Sequence, residues 1–417
     1  MAKIKQIEAS EILNAKGEPT IETTVILSDG KTGRASCPSG GLIGSYEASD
    51  LRDHDKDRLE GRGVLKAVSN VNEIISPSLL GMDATKQREI DKKMIELDGT
   101  ANKGKLGANA ILSVSMAVCK AAAKSSVLPL FLYLREYIKK EGLPLRIPTP
   151  IFSLINGGRD LGADFNGFLI IPASSKSYTE NMLMINKIQK TLKNNLKTEN
   201  YSSLFSDRGG FAPFLPTNEE GLVLLKQTTE TENLRLGFDV FLGLDVSANS
   251  FYHEGKYRIK DRPSPLSSSD LILFYETLNK KFNLLYLEDP LYEEDWVGWS
   301  EISSKISNRT LIVGDNLTVT NPYRLQMALD KKAITGIVIK PIQIGTVIEA
   351  LAVVEIAREA GLKIVVSARS TETNDDFIAD FAVAVSSDYV KFGGITRGEF
   401  IQKYNRLFQI EKQLKSL

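Results

Sequence analysis

The feature that most constrains this chain is a rhythm in its second half. Short apolar runs each stop on a polar residue: FLGLD at Asp245, LLYLED at Glu288, LIVGD at Asp315, IVIK at Lys340, IVVS at Ser367 and YVK at Lys391. Such runs suit strands buried on both faces of a parallel sheet. From Glu288 onward the stops fall 24 to 27 residues apart, enough for one strand, one helix and two loops. The pattern predicts a right-handed βα repeat closing into a barrel. Helical halves are visible between the runs, as in TVIEALAVVEIAREAG, which carries an apolar stripe and a terminal glycine.

At 417 residues the chain exceeds the roughly 250 that a β/α barrel needs, leaving room for a smaller companion. The first part reads as α+β. Thr23–Leu27, the turn Ser28-Asp29-Gly30 and Thr32–Cys37 predict a β-hairpin, and residues 61–80 and 105–124 have helical spacing. Pro144, Pro148 and Pro150 punctuate a change of composition. The fold expected is α/β, with a small α+β domain over 1–141 and a β/α barrel over 142–417.

Lys plus Arg and Asp plus Glu both number 52, a balance that does not point to nucleic acid or a membrane surface as partner. The opening MAKIKQIEAS lacks an apolar core of signal-peptide length, and no apolar stretch is long enough to span a bilayer, so a cytoplasmic location is expected. Cys37 and Cys119 are far apart and form no CxxC; both are expected as packing residues.

Barrel sites form at the C-terminal ends of the strands, so the six stop residues should face one mouth. Asp245, Glu288 and Asp315 gathered there would repel one another unless a cation sat among them, and an all-oxygen set selects a hard ion, Mg²⁺. Lys340 can serve as a base beside a substrate carboxylate, whereas Lys391 reads better as an anion clamp. Arg369 and Ser370 directly follow a strand, and the guanidinium fork suits phosphate or carboxylate.

Ordered stretches then carry a resemblance to the enolase family: PSGGLIGSYEA, GVLKAVSNVNEII, KMIELDGTANKGKLGANAILSVSMAV, INGG, GGFAP, LEDPLYEEDW, VGDNLTVTNP, QIGT, SARSTET and KYNRLFQIE. It covers nearly the whole chain. The resemblance implies an enolase-type fold, a homodimer and a small anionic phospho-carboxylate substrate. It also implies magnesium ligands at Asp245, Glu288 and Asp315, a lysine base at Lys340, a substrate lysine at Lys391 and phosphate binding by Arg369 and Ser370.

The departures from the family pattern are grouped. The mobile loop reads Ser39-Gly40-Gly41-Leu42-Ile43, and Leu42 has no hydroxyl for a second magnesium. The two glutamates that handle the leaving hydroxyl in the family fall on Gly167 and Arg208. The catalytic-loop histidine falls on Asp160, and Asp160 and Asn166 are candidate substrate contacts. Ala368, Ile342 and Asn316 replace a histidine, an asparagine and an aspartate. The half of the site that holds metal, makes an enolate and grips phosphate is kept, and the half that expels hydroxide is gone. The expectation is an enzyme re-purposed from 2-phosphoglycerate dehydration, similar in kind to carboxyphosphonoenolpyruvate synthase, with Arg208 receiving an additional substrate anion. An ordinary hydratase with rearranged acids and a non-catalytic binding protein stay open as alternatives.

Overall fold

The computed structural model describes residues 2–38, 44–139, 142–158 and 161–416. β1 (Ile4–Leu13), β2 (Pro19–Leu27) and β3 (Thr32–Ser36) form an antiparallel meander in that order. The Asp-Gly turn sits where expected, with Gly30 at φ 81°, a conformation that costs glycine little. The first strand was not legible, because a register shift between Ile4 and Gln6 breaks its alternation. The helix expected over 61–80 is broken into Leu65–Ser69, a wider turn over Asn70–Ile75 and Ser76–Leu79. Pro77, which has no N–H for the helical ladder, lies just past the widened turn. Helix Ala108–Ser125 packs on β2 and β3. It comes so close that a Cβ on Gly33 would lie 2.0 Å from the Ala117 carbonyl oxygen.

The barrel begins with β4 (Thr149–Pro150) and β5 (Phe152–Asn156), separated only by Ile151. β6 (Gly167–Pro172) and β7 (Val240–Asp245) follow, then a small hairpin of β8 (Tyr252–His253) and β9 (Lys256–Tyr257). The later barrel strands are β10 (Tyr286–Glu288), β11 (Leu311–Gly314), β12 (Gly336–Ile339), β13 (Lys363–Ser367) and β14 (Tyr389–Lys391). The sheet runs β4-β14-β13-β12-β11-β10-β7-β6-β5. Its two ends are one nearly continuous strand, and the Ile151 N–H donates to the Val390 carbonyl at 2.7 Å. The sheet therefore closes on itself.

All six apolar runs are parallel strands, as the rhythm predicts. The opening of the barrel departs from that rule: β6 is antiparallel to both β5 and β7. Only residues 157–166 join β5 to β6, too few for a crossover helix. Two helices, Tyr178–Thr198 and Asn218–Thr231, then return the chain to β7.

Ile151, Leu169, Ile171, Tyr286, Val313, Val338 and Val365 fill the barrel interior, while the main core lies between barrel and helices and continues into the N-terminal layer. Cys37 and Cys119 are buried in that main core. Among the described residues no helix is long and apolar enough to cross a membrane.

Candidate active site

Each polar stop emerges at the same rim because it ends, or directly follows, a parallel strand. Asp245 and Glu288 lie side by side in register on β7 and β10, and Asp315 follows β11. All three are buried, Glu288 to 1% exposure. Lys391 Nζ donates to Asp245 Oδ2 at 2.9 Å and to both Glu288 oxygens at 2.6 Å. Lys340 Nζ pairs with Asp315 Oδ2, whose other oxygen accepts Gln343 Nε2 at 3.0 Å. Asp245 also accepts Asn166 Nδ2 at 2.9 Å and Ser247 Oγ at 2.9 Å. Five of the expected residues, with Asn166, thus gather at one mouth.

The electrostatics follow from burial and neighbours. Burial opposes the charge on Asp245, but Lys391, Asn166 and Arg208 outweigh it and hold its pKa down at about 2. Glu288 goes the other way, to about 7, because burial and then the adjacent Asp245 charge disfavour its ionised form. Asp315 is lowered: burial raises it, but Lys340 and Lys391 prevail. Burial would lower the Lys391 pKa, yet Asp245, Glu288 and Asp315 together raise it well above the usual lysine value. The Lys391 ammonium is thus bound by the same carboxylates that end β7 and β10.

Arg369, partly buried, has its guanidinium on Glu47, and Gln343 spans towards this pair, with Nε2 3.5 Å from Glu47 Oε1. Ser370 lies half-buried on the turn beyond β13. The Ser367 hydroxyl does not serve the mouth in the expected way, since it donates to the backbone carbonyls of Ala368 at 3.0 Å and Lys391 at 3.1 Å. Arg208 points inward. Its Nη1 donates to the Asn166 carbonyl at 2.8 Å and the Gly157 carbonyl at 3.3 Å, while the neighbouring Asp207 pairs with Lys16 at 2.6 Å. Asp160 and the 39–43 loop, including Leu42, lie outside the described residues.

The family model for the enolase C-terminal TIM barrel domain matches residues 144–417, and that for the enolase N-terminal domain matches residues 4–134. The chain belongs to the enolase family. Within that enolase frame, Gly167 is paired with Asp245 in register and carries no side chain. A Cβ there would come within 2.9 Å of Ser153 Oγ.

Among the described residues of this enolase-family site, no three acidic, His or Cys side chains converge into a ready metal cage; the ammonium of Lys391 lies between Asp245 and Glu288 instead. The chemistry nonetheless fits a hard dication. The carboxylates supply only oxygens, burial and then their mutual repulsion raise Glu288, and the Lys391 ammonium bridges two of them. Were a hard dication bound at this rim, the oxygens available to it would be those of Asp245, Glu288 and Asp315.

Sequence reasoning missed the supports of this site. Asp289 accepts the backbone N–H groups of Asp315 at 3.0 Å and Asn316 at 2.8 Å, fixing the loop that carries Asp315. Tyr286 donates its hydroxyl to Glu288 from inside the barrel. Glu47 comes from the N-terminal part, where no rhythm signals it. Tyr286 had a signal, being a polar-tipped ring two positions before an expected ligand on the same strand face.

Proposed function

We propose that this enolase-superfamily enzyme abstracts a proton beside the carboxylate of a small phospho- or phosphono-carboxylate and does not dehydrate 2-phosphoglycerate. The observation that carries the reading is Arg208: held inward by two carbonyls and released from Asp207, it brings a positive charge beside Asp245 where the family pattern has an acid. Asp245, Glu288 and Asp315 would hold Mg²⁺, which when bound supplies Lewis-acid stabilisation of negative charge on the substrate carboxylate. Lys340 Nζ would take the proton as the free amine, having left Asp315 and released its own proton to solvent beforehand. Lys391 stays protonated and holds the substrate carboxylate, while Arg369 and Ser370 face the phosphorus-bearing group. Gly167 has no acid with which to protonate a leaving hydroxide, so expulsion of water loses its catalyst. Arg208 then meets a further anion by charge-assisted hydrogen bonds, as a carboxyphosphonoenolpyruvate synthase-like reaction requires.

Two measurements test this. In the ultraviolet assay for phosphoenolpyruvate, 2-phosphoglycerate should turn over at least about 10² to 10⁴-fold more slowly than with an intact acid; enolase-like turnover overturns the proposal. In calorimetry with Mg²⁺, Arg208→Ala should weaken phosphono-carboxylates bearing an additional anionic group by about tenfold to hundredfold. Equal binding by both proteins, or by neither, leaves a non-catalytic binding role ahead.

A further inference from the structure

Behind the carboxylates of the mouth lies one buried neutral side chain that faces both of its halves. Gln343, on helix Pro341–Ile344, is 1% exposed. Its Nε2 donates to Asp315 Oδ1 at 3.0 Å and lies 3.5 Å from Glu47 Oε1. The other Glu47 oxygen holds the Arg369 guanidinium. The backbone repeats the link, since the Gln343 carbonyl accepts the Ala48 N–H at 2.8 Å. The orientation of the amide is fixed by Thr320, which is fully buried. The Thr320 hydroxyl accepts the Lys340 backbone N–H at 2.9 Å, so its single proton goes to Gln343 Oε1, at 2.7 Å. Both amide N–H bonds are thereby turned to carboxylates. Flipped, the amide would set its oxygen against the two of them.

A neutral donor suits this place better than a charged one. A lysine there would cancel the charge that Asp315 offers a cation and that Glu47 offers Arg369, and a glutamate would add a third negative charge. An amide orients both carboxylates and neutralises neither. We infer that Gln343 is a positioning residue that ties the two halves of the mouth together, setting Asp315 for the dication and, through Glu47, setting Arg369 for the phosphorus-bearing group. The inference rests on the reading of this mouth as a site for a cation and an anionic substrate. No proton transfer falls to Gln343, which acts through the residues that it holds.

Calorimetry with Mg²⁺ alone, and with phosphonoacetate at saturating Mg²⁺, compares the wild type with Gln343→Met, which keeps the length of the side chain and loses both N–H bonds. The outer partners of a metal ligand are commonly worth about 10- to 100-fold in metal affinity, so Gln343→Met should weaken Mg²⁺ binding at least about tenfold. Its cost to phosphonoacetate should be at least about threefold with Glu47 in place and should disappear in a Glu47→Gln background, because the amide reaches Arg369 through that carboxylate. A side chain that merely fills space would cost the same in both backgrounds. Thr320→Val, which frees the amide to flip, should reproduce the loss of Mg²⁺ affinity, whereas Thr320→Ser, which keeps the hydroxyl, should bind as the wild type does. Thermal melting checks folding, and either Gln343→Met or the Thr320 pair decides the point alone. Undiminished Mg²⁺ affinity in folded Gln343→Met or Thr320→Val, or equal phosphonoacetate costs in both Glu47 backgrounds, overturns the positioning role and leaves the mouth standing. A wild type that binds neither Mg²⁺ nor phosphonoacetate overturns the mouth and the role with it.

Discussion

At the residue scale the mouth is a charge-balance problem. Three buried carboxylates are held by two lysines, and removing one member leaves the others uncompensated. Asp315→Ala removes a proposed ligand and the partner of Lys340, so Mg²⁺ binding by calorimetry should disappear. At a hundredfold excess over Kd the wild type should gain about 2.7 kcal/mol from Mg²⁺, and the variant should show no Mg²⁺-dependent rise in melting temperature. A variant that binds and is stabilised as the wild type is would remove Asp315 from the site. The residue types at the strand stops were legible because a strand end is a local signal. Their partners were not. Glu47 reaches Arg369 across 322 positions of sequence, and nothing in a local pattern encodes such a pairing.

At the element scale the neighbouring strands β7 and β10 hold Asp245 and Glu288 in register, and one glycine keeps them close. A Cβ on Gly243 would sit 2.9 Å from Tyr286 Cβ, whose ring fills the barrel interior. Gly243→Ala should therefore cost about 1 to 3 kcal/mol by overpacking, read as a shift in urea midpoint. It should also weaken Mg²⁺ binding, because the two carboxylates move with their strands. A fully stable variant with unchanged affinity would show that the strand pair tolerates the methyl. The six parallel strands were readable as continuous apolar runs. The reversed β6 was not, since GFLIIP has the same apolar character as the others and its direction depends on the short connection before it.

At the scale of the whole molecule the N-terminal layer is latched to the barrel by buried polar contacts. Asp91, on helix Gln87–Asp98, accepts Gln87 Nε2 at 2.8 Å and the Ile348 N–H at 3.1 Å, the latter at the start of barrel helix Val347–Glu359. Burial raises its pKa to about 7, although hydrogen bonds from Ser115, Ile348 and Gln87 pull the other way. A folded-state pKa above the unfolded one means that the native form holds the proton more tightly. The stabilisation is thus complete below about pH 4 and is lost as pH rises through about 7. Each tenfold gain in proton affinity is worth roughly 1.4 kcal/mol, so Asp91 alone accounts for up to about 4 kcal/mol of that decline. Urea denaturation of Asp91→Asn should show a correspondingly shallower loss of stability between about pH 4.5 and 8 than the wild type. Parallel pH profiles for the two proteins would mean that Asp91 does not titrate in this way.

The sequence by itself determined the barrel, its site edge and the chemical types gathered there, because periodicity and strand-end polarity are properties of short segments. Only the tertiary structure decided that Lys391 sits between Asp245 and Glu288 while Lys340 goes to Asp315, and that Arg208 turns inward while Asp207 goes to Lys16. Those outcomes depend on burial and on partners brought together from distant parts of the chain, and neither is encoded in any one stretch of it.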